Sequence, residues 1–482
     1  MKASTIVWFQ NDLRLEDNPA LIHGIKSPSN LIPIFIWDEE RDWFSSMGEA
    51  SRWWLHHSLE ALSQSLKKLG LDLLIFKGKT DLVLQELVGK NRVEQVLWNR
   101  RYDPSSFQSD KKVSRFLDGL GVESSDFSAY TLFEPDRIRN KSGGIYKVFT
   151  PFWKCCLQFL DEIQPLAFPT LSEKLQTIPL HLDSYDCLCS IGDLGLLPQV
   201  KWDRLFEKTW NVGEKNASLG LNDFLNTKAT QYKLSRDIPS VVGTSRLSAA
   251  LHFGEISPRQ VVQATREQFG DSGLQDPGVA CYLSELGWRE FSTHLLYHFS
   301  ELPQKSLRPE FEKFPWQNSN LFLKAWQKGC TGIPMVDAGM RELWQTGWMH
   351  NRVRMIVASF LVKNLMVDWR LGAEWFSKSL VDADIASNVL SWQWVAGCGV
   401  DASPYYRIFN PVTQGQKFDP EGEYVKKWIP ELCAIPKKWV HCPWEANEDL
   451  QNHWGLGDDY PKPIVDLKES RQIALDAYQS IK

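Results

Sequence analysis

Three short segments in the second half of this 482-residue chain bring together side chains that could bind a charged ligand. Residues 243–248, Gly-Thr-Ser-Arg-Leu-Ser, combine three hydroxyl groups with one cation at the predicted start of a helix. Backbone amides at a helix N-terminus favour phosphate groups, so this segment would suit a diphosphate. Ordinary helix capping by serine or threonine would account for the same residues if the segment stood alone.

The second segment, residues 382–388, contains two carboxylates and one amide. Asp384 and Asn388 are four residues apart, which places them on the same face of a predicted helix, with Asp382 just before them. A calcium loop would need a glutamate at its twelfth position, where this chain has Gln393, and a central glycine that is missing. We therefore predict hydrogen-bonding or capping groups, and no metal site.

The third segment, residues 348–355, carries two arginines. Asn351 and Arg354 share one side of a predicted helix, whereas Arg352 points to another side. One arginine could then face a phosphate while the other faces an interior anion, although a solvated helix face would show the same spacing.

Several common chemistries have no support in the sequence. The chain lacks the GxxxxGK[ST], HExxH and GxSxG motifs, and Gly397–Gly399 lacks the third glycine of a dinucleotide fingerprint. Nine cysteines without a CxxC pair argue against a disulfide framework or structural zinc. Because the net charge is −5, any nucleic-acid site must be a local basic patch.

The hydrophobic pattern divides the chain into three parts. Residues 1–130 alternate strand-like and helical stretches, which predicts a parallel, Rossmann-like α/β domain. Residues 131–200 are rich in proline and are interpreted as an interdomain connection packed over both domains, and residues 201–482 as an all-α domain. The predicted strands are Thr5–Phe9, Leu31–Trp37, Leu71–Phe76 and Val93–Leu97, and helix starts or segments are predicted at Asn18-Pro19, Glu49–Leu69, Leu283–Leu296 and Met355–Leu365.

The chain shows no membrane segment or signal peptide. The most apolar stretch, Met355–Val367, is interrupted by Lys363 and is too short to span a bilayer. The first four residues lead into a strand. We expect a soluble, cytoplasmic and monomeric protein.

Taken together, these segments resemble the photolyase/cryptochrome family, with the best match among microbial class I cyclobutane pyrimidine dimer photolyases. The resemblance covers nearly the whole chain, from residues 7–15 to residues 461–465, and its most specific blocks are residues 243–248, 286–291, 331–338, 347–355, 392–394 and 406–411. It implies a U-shaped FAD in the helical domain. It also implies electron transfer from photoexcited reduced FAD to a pyrimidine dimer flipped out of DNA, which splits the cyclobutane ring and then returns the electron.

The resemblance assigns roles to individual residues. Arg354 would pair with Asp382 beside the isoalloxazine, because a buried anionic flavin needs a nearby cation, and Asn388 would face flavin N5. Cofactor binding is assigned to Tyr232, Thr244, Ser245, Arg246, Leu247, Ser248, Arg289, Asn351, Arg354, Asp382, Ala383, Asp384 and Asn388.

Tryptophans and polar groups complete the implied site. Trp392, Trp369 and Trp316 would relay electrons from the surface to the flavin, although their periodicity alone is that of core residues. Together with Asn388 and Glu285, these tryptophans form the predicted catalytic set. Dimer and DNA contacts are assigned to Glu285, Trp288, Arg289, Asn351, Arg352, Trp394 and Gln414, with Lys417 as a further phosphate-binding cation.

Two rival functions within the family differ at defined positions. Plant cryptochromes, which are blue-light receptors, resemble this chain but carry Asp in place of Asn388 and Tyr in place of Trp394, and (6-4) photolyases have histidines in place of Asn351 and Met355. Cryptochromes of the DASH type usually have Gln in place of Met355. These differences favour dimer repair.

Two features depart from the class I pattern. Residues 389–391 are Val-Leu-Ser where class I enzymes usually have Asn-Gly-Gly, so the wall beside the flavin differs. The glutamate of folate-binding relatives would fall near Ser105 and Ser106. A methenyltetrahydrofolate in another arrangement, a deazaflavin, or no second chromophore are the open alternatives.

Overall fold

The computed structural model describes residues 3–41, 47–171, 175, 185–401 and 407–482. A six-stranded sheet in the order β5-β4-β1-β2-β3-β6 forms the centre of the first domain. All neighbouring strands run parallel except β6, which pairs antiparallel with β3. The strands are β1 Ser4–Phe9, β2 Asn30–Trp37, β3 Leu74–Lys77, β4 Val93–Asn99, β5 Glu123–Phe127 and β6 Leu188–Cys189.

All four predicted strands are present, and the parallel α/β architecture is confirmed. The prediction for β3 began three residues too early, because Leu71 and Leu73 are buried without pairing in the sheet. The edge strands β5 and β6 were not predicted. The sequence of β5, Glu-Ser-Ser-Asp-Phe, has no apolar run to predict it, and its residues are exposed or only partly buried.

Helices cover both faces of this sheet. The prediction at Asn18 is confirmed, since its side chain accepts a hydrogen bond from the Leu21 amide and Pro19 occupies the first turn of the helix. The Asn18 cap also belongs to a buried network with Asp12 and Asn99 at the carboxyl ends of β1 and β4. The helices are α1 Pro19–Lys26, α2 Glu49–Lys68, α3 Thr80–Lys90 and α4 Pro104–Gly119.

The connection packs against both domains. Its helix α5, Phe149–Leu157, places Phe152 and Trp153 in the core of the helical domain. Leu194 and Leu196 join the core between the sheet and α2. Because β6 also comes from this segment, the connection completes the first domain while supporting the second.

The remainder of the described chain is helical. Its helices are α6 Phe206–Thr209, α7 Glu214–Thr227, α8 Tyr232–Ser235, α9 Ser248–His252, α10 Pro258–Gly273, α11 Pro277–His298, α12 Asn320–Lys328, α13 Pro334–Thr346, α14 Asn351–Ser359, α15 Trp369–Ser379, α16 Ile385–Ala396, α17 Pro411–Phe418, α18 Glu423–Trp428, α19 Glu448–His453 and α20 Leu467–Ser480. The predicted helix at Met355–Leu365 changes at Phe360 from α-helix to a π-helical turn, Phe360–Asn364. Within the described ranges, no helix combines the length and the apolar character needed to cross a bilayer.

A buried carboxyl group lies where the two domains meet. Trp54 of α2 donates its indole N–H to Glu255 at 3.0 Å, and Glu255 is fully buried in the helical domain. Burial disfavours the charged carboxylate and raises the pKa of Glu255 to about 7. This acid therefore links the packing of the domains to pH.

We expect Glu255→Gln to flatten the pH dependence of stability. Because the folded-state pKa lies above the ordinary value of 4.5, protonated Glu255 contributes stability below pH 4.5, and this contribution is lost as the pH rises to about 7. The loss at pH 8 is at most about 3 kcal/mol, and the neutral amide avoids it. Urea unfolding at pH 5 and pH 8 measures the difference. Burial also raises the pKa of Glu290 to about 7, so part of the pH dependence of stability should persist in the variant. A pH dependence equal to that of the wild type would contradict the assignment to Glu255.

Candidate functional site

Many of the predicted site residues lie on helix α16, just before it, or on α11, α14 and α15, which pack against it. The carboxylates do not lie within that helix as the spacing suggested. Asp384 is its N-cap, and its side chain accepts a hydrogen bond from the Ser387 amide at 2.7 Å, while Asp382 precedes the cap. The capping interpretation is thus confirmed for Asp384, although it does not explain the other contacts of this carboxylate.

The two arginines of α14 point in different directions. Arg354 donates from Nη2 to both oxygens of Asp382, at 3.1 and 2.9 Å. Arg352 instead pairs with Asp237 at 2.8 Å and covers the ring of Phe418. The two arginines therefore have different partners, as predicted, although both side chains are partly exposed, Arg352 at 18% and Arg354 at 26%.

Asp384 is held by groups from both domains. The hydroxyl of Tyr130, which follows β5, donates to Asp384 at 2.7 Å. Arg289 lies 4.0 Å above the Tyr130 ring and donates to the Tyr130 carbonyl. Burial alone would raise the pKa of Asp384, but the nearby His252, Arg289 and the hydrogen bonds lower it overall. The carboxylate is therefore ionised in the folded protein.

Arg289 was assigned to both the cofactor and the DNA. Its side chain is only 12% exposed and lies between Tyr130 and Glu290, so the structure groups it with the interior carboxylates. Asn351, the other residue with two assignments, is exposed at the start of α14 and lies on the outer side. Sequence reasoning missed Tyr130, because a tyrosine near a domain boundary carries no motif.

The amide of Asn388 has a defined orientation. Its Nδ2 donates to the Ala373 carbonyl at 2.9 Å and to the Ser377 hydroxyl at 3.0 Å, both in α15. Both amide protons are thereby used, and the side-chain oxygen can only accept hydrogen bonds. This geometry leaves the Asn388 side chain an acceptor toward any further partner.

Residues 243–248 differ from their prediction. Residues 243–247 form an irregular segment, and the helix begins only at Ser248, lasts five residues and lacks a side-chain cap. Arg246 adopts a left-handed conformation with φ of 53°. The segment therefore leads up to the helix start, and an anion bound here would contact its backbone and side chains together with the amides of the first helical turn.

Arg246 fits an anionic ligand. Its guanidinium lies 4.7 Å from the ring of Trp348, and its Nε is buried without a hydrogen-bond partner. Over the residues that the structure describes, no carboxylate oxygen lies within ion-pair distance of it. A cation with no carboxylate at contact distance, over the same Trp348 ring as Arg354 of the Arg354–Asp382 pair, suits the diphosphate and ring system of FAD.

The remaining residues that were predicted to bind the cofactor differ in how deeply they are buried. Tyr232 is buried and packs edge-on against Phe224 and Tyr282, and the Tyr282 hydroxyl is hydrogen-bonded to Ser245. Leu247 is buried, Thr244 and Ala383 are partly buried, and Ser248 is exposed. Leu247 and Tyr232 therefore shape the site through packing.

The three predicted relay tryptophans share the core of the helical domain. Trp392 and Trp369 are fully buried, and Trp316 is partly buried against the same core. A side chain at Gly372 would collide with the Trp392 indole, so α15 and α16 approach closely at this point. The Nε1 atom of Trp369 is buried without a hydrogen-bond partner. A packing role and a relay role are both compatible with this placement.

The outer side of the site carries aromatic and basic groups. Trp288 and Trp394 are both half-buried, and Glu285 forms an ion pair with Arg236, a residue that the sequence did not single out. Lys417 and Arg352 lie over the same Phe418 ring, at 5.0 and 4.4 Å, which groups them as one basic pair. Gln414 lies on the same helix as Lys417 and is partly buried. Tyr406, the first residue of the 406–411 block, lies outside the described residues.

Comparison with known proteins matches most of the chain. Family models described as DNA photolyase and as the FAD binding domain of DNA photolyase match residues 5–170 and 282–480. The deoxyribodipyrimidine photo-lyase of Agrobacterium fabrum is 44% identical over 485 residues, covering 100% of this chain and 98% of that protein. Cryptochrome-2 of Arabidopsis thaliana is 38% identical over 489 residues, covering 99% of this chain and 79% of that protein. A crystal structure described as a bacterial class III photolyase from Agrobacterium tumefaciens superposes with a TM-score of 0.92 at 42% identity, covering 100% of this chain and 98% of that one.

Proposed function

Because the chain belongs to the photolyase/cryptochrome family, we propose that it is a photolyase that repairs cyclobutane pyrimidine dimers in DNA under blue light. The observation that carries the proposal is the opposed orientation of the two α14 arginines. Arg354 faces a buried carboxylate, where a flavin anion needs a cation, and Arg352 faces the aromatic and basic surface, where DNA would dock. One short helix therefore serves both the cofactor and the substrate.

The inner groups are suited to hold FAD. Arg246 would neutralise the diphosphate, and Arg354, oriented by Asp382, would place positive charge beside the isoalloxazine. The Asn388 oxygen, as an acceptor, would match the N–H that a reduced flavin carries at N5. Bound reduced FAD supplies the light-excited electron that opens the dimer. The protein contributes binding, orientation and fixed charge.

The outer groups are suited to hold an extruded dimer. Trp288 and Trp394 offer flat apolar walls, and Glu285 and Asn351 offer hydrogen bonds to base edges. Arg352 and Lys417 would bind phosphates, which predicts an affinity that depends on salt and little on sequence. Trp392, Trp369 and Trp316 would connect the flavin to the surface for photoreduction.

The proposal also concerns the photolyase class and the second, light-harvesting chromophore. The motifs indicated class I, whereas the solved relative at 42% identity is described as class III. Ser105 and Ser106 begin α4 at the place where folate-binding relatives have glutamate, and Ser106 is buried against the Asp103 cap. A second chromophore, either methenyltetrahydrofolate or a deazaflavin, would therefore need other contacts.

The test is an absorption spectrum of the purified protein followed by blue-light treatment of DNA that contains cyclobutane dimers. We expect flavin absorption and light-dependent loss of dimers, with no loss in the dark. DNA with (6-4) photoproducts is the matched control and should be unchanged. Flavin binding without repair of either lesion would assign the chain to cryptochrome-type light reception, and repair of (6-4) photoproducts alone would assign it to the other repair branch. An antenna should appear as an additional absorption band.

A further inference from the structure

We propose that Phe149, at the start of α5 in the interdomain connection, is a positioning residue that fixes the Trp288 indole for dimer recognition. The inference rests on the proposed function, in which Trp288 forms one wall of the lesion pocket. It adds a residue of the connection to a site otherwise built from the helical domain.

Phe149 and Trp288 are stacked face to face. Their ring centroids lie 3.8 Å apart with an interplanar angle of 9°, the shortest centroid separation among the aromatic pairs of the described residues. The buried Phe291 meets both rings edge-on, at 5.9 Å from each. Phe152, one turn later in α5, packs against Phe291 at 5.1 Å. The indole is therefore fixed by a cluster of three phenylalanine rings.

This stacking decides which surface of Trp288 is accessible. A base cannot stack on the face that Phe149 occupies, because aromatic rings in contact leave no space for a third. The indole must present its other face or its edge to a ligand. Without Phe149, the side chain could rotate or offer both faces, and the pocket wall would lose its single geometry.

The position of Phe149 argues against a role only in the core. Its side chain is half-buried, and its neighbours Lys147, Val148 and Thr150 are exposed. Trp288 is half-buried as well, so the stacked pair lies at the protein surface. Packing of the core does not require two parallel rings in contact at the partly exposed edge of the domain.

The test compares Phe149→Ala with Phe149→Tyr and Phe159→Ala. Phe159 is the matched control, because it lies in the same connection, is also half-buried against the helical core, and contacts Phe133 rather than Trp288. Binding is measured with an oligonucleotide containing one cyclobutane thymine dimer and with the same oligonucleotide undamaged. Fluorescence of 2-aminopurine opposite the dimer reports its extrusion, and flavin absorption reports the cofactor.

We expect Phe149→Ala to weaken binding of dimer-containing DNA by roughly 3- to 10-fold, the loss typical of a removed aromatic pair. The 2-aminopurine signal should fall, whereas affinity for undamaged DNA and FAD content should stay at wild-type values. Phe149→Tyr should restore dimer affinity, and Phe159→Ala should match the wild type.

Four results would overturn the inference, and they distinguish failure of the Phe149 role from failure of the proposed function. If the wild-type protein repairs dimers but Phe149→Ala binds damaged DNA as tightly, Phe149 does not position the indole. An equal loss of affinity for damaged and undamaged DNA, or an equal loss in Phe159→Ala, would likewise reduce Phe149 to general packing. If the wild-type protein does not discriminate dimers at all, the proposed function fails and removes the basis of the inference.

Discussion

Replacing Arg354 with alanine is expected to abolish stable FAD binding and to lower the free energy of unfolding by up to about 3 kcal/mol, the lower end of the cost of breaking a buried ion pair, because the Arg354 side chain is 26% exposed. The Asp382 side chain is 4% exposed, and both of its oxygens accept from the same guanidinium. Removing the arginine leaves this carboxylate without its counter-charge and deprives an anionic flavin of its nearest cation. Flavin absorption after gel filtration and urea unfolding measure the two effects.

Two further variants separate the two roles of Arg354. The double variant Arg354→Ala/Asp382→Asn removes the unpaired carboxylate, so it should recover much of the lost stability while FAD binding stays lost. Arg92→Ala breaks an arginine–glutamate pair in which both side chains are more than half exposed, and it should change neither property. Full FAD content and wild-type stability in Arg354→Ala would refute the assignment of Arg354 to the cofactor.

Trp369→Phe is expected to remove most of the light-driven reduction of bound FAD while the cofactor content stays unchanged. Trp369 is fully buried, so an electron that passes this point must come from its indole ring and not from a donor dissolved in the solvent. Phenylalanine keeps the packing approximately but is much harder to oxidise than tryptophan. Repair by FAD that has been reduced chemically beforehand should continue at the wild-type rate, because the relay is then not needed.

Trp326→Phe is the matched control for this experiment. Trp326 is equally buried and meets the Trp392 ring edge-on at 6.1 Å, but it is not part of the proposed relay. Its replacement should leave photoreduction close to the wild-type rate. Unchanged photoreduction in Trp369→Phe, or an equal decrease in Trp326→Phe, would show that the electron takes another path.

Features of the structure were predictable where the interacting residues lie within a few positions of one another in the sequence. The Asn18 cap follows from an Asx-Pro pair, and the opposed directions of Arg352 and Arg354 follow from helical spacing. The same reasoning placed the helix start too early at residues 243–248, because hydroxyl groups before an apolar run fit an irregular segment ahead of a helix as well as its first turn. Only the fold decided between them.

Groups brought in from distant parts of the chain could not be predicted. Tyr130 reaches Asp384 across 254 positions, and Arg236 reaches Glu285 from the turn after α8. Phe149 lies in a segment that looked like a mere connection. The orientation of Asn388 depends on Ser377 and on a backbone carbonyl of α15, neither of which forms a pattern with it.

The hydrogen bond from Tyr130 to Asp384 couples the contact between the two domains to the binding of the flavin. A ligand that binds beside Asp384 and favours its ionised, tyrosine-bonded form also strengthens the attachment of the sheet domain to the helices. A molecule that binds to the sheet domain and shifts Tyr130 must then alter the affinity for the flavin. By thermodynamic reciprocity, the flavin alters the affinity for that molecule by the same factor.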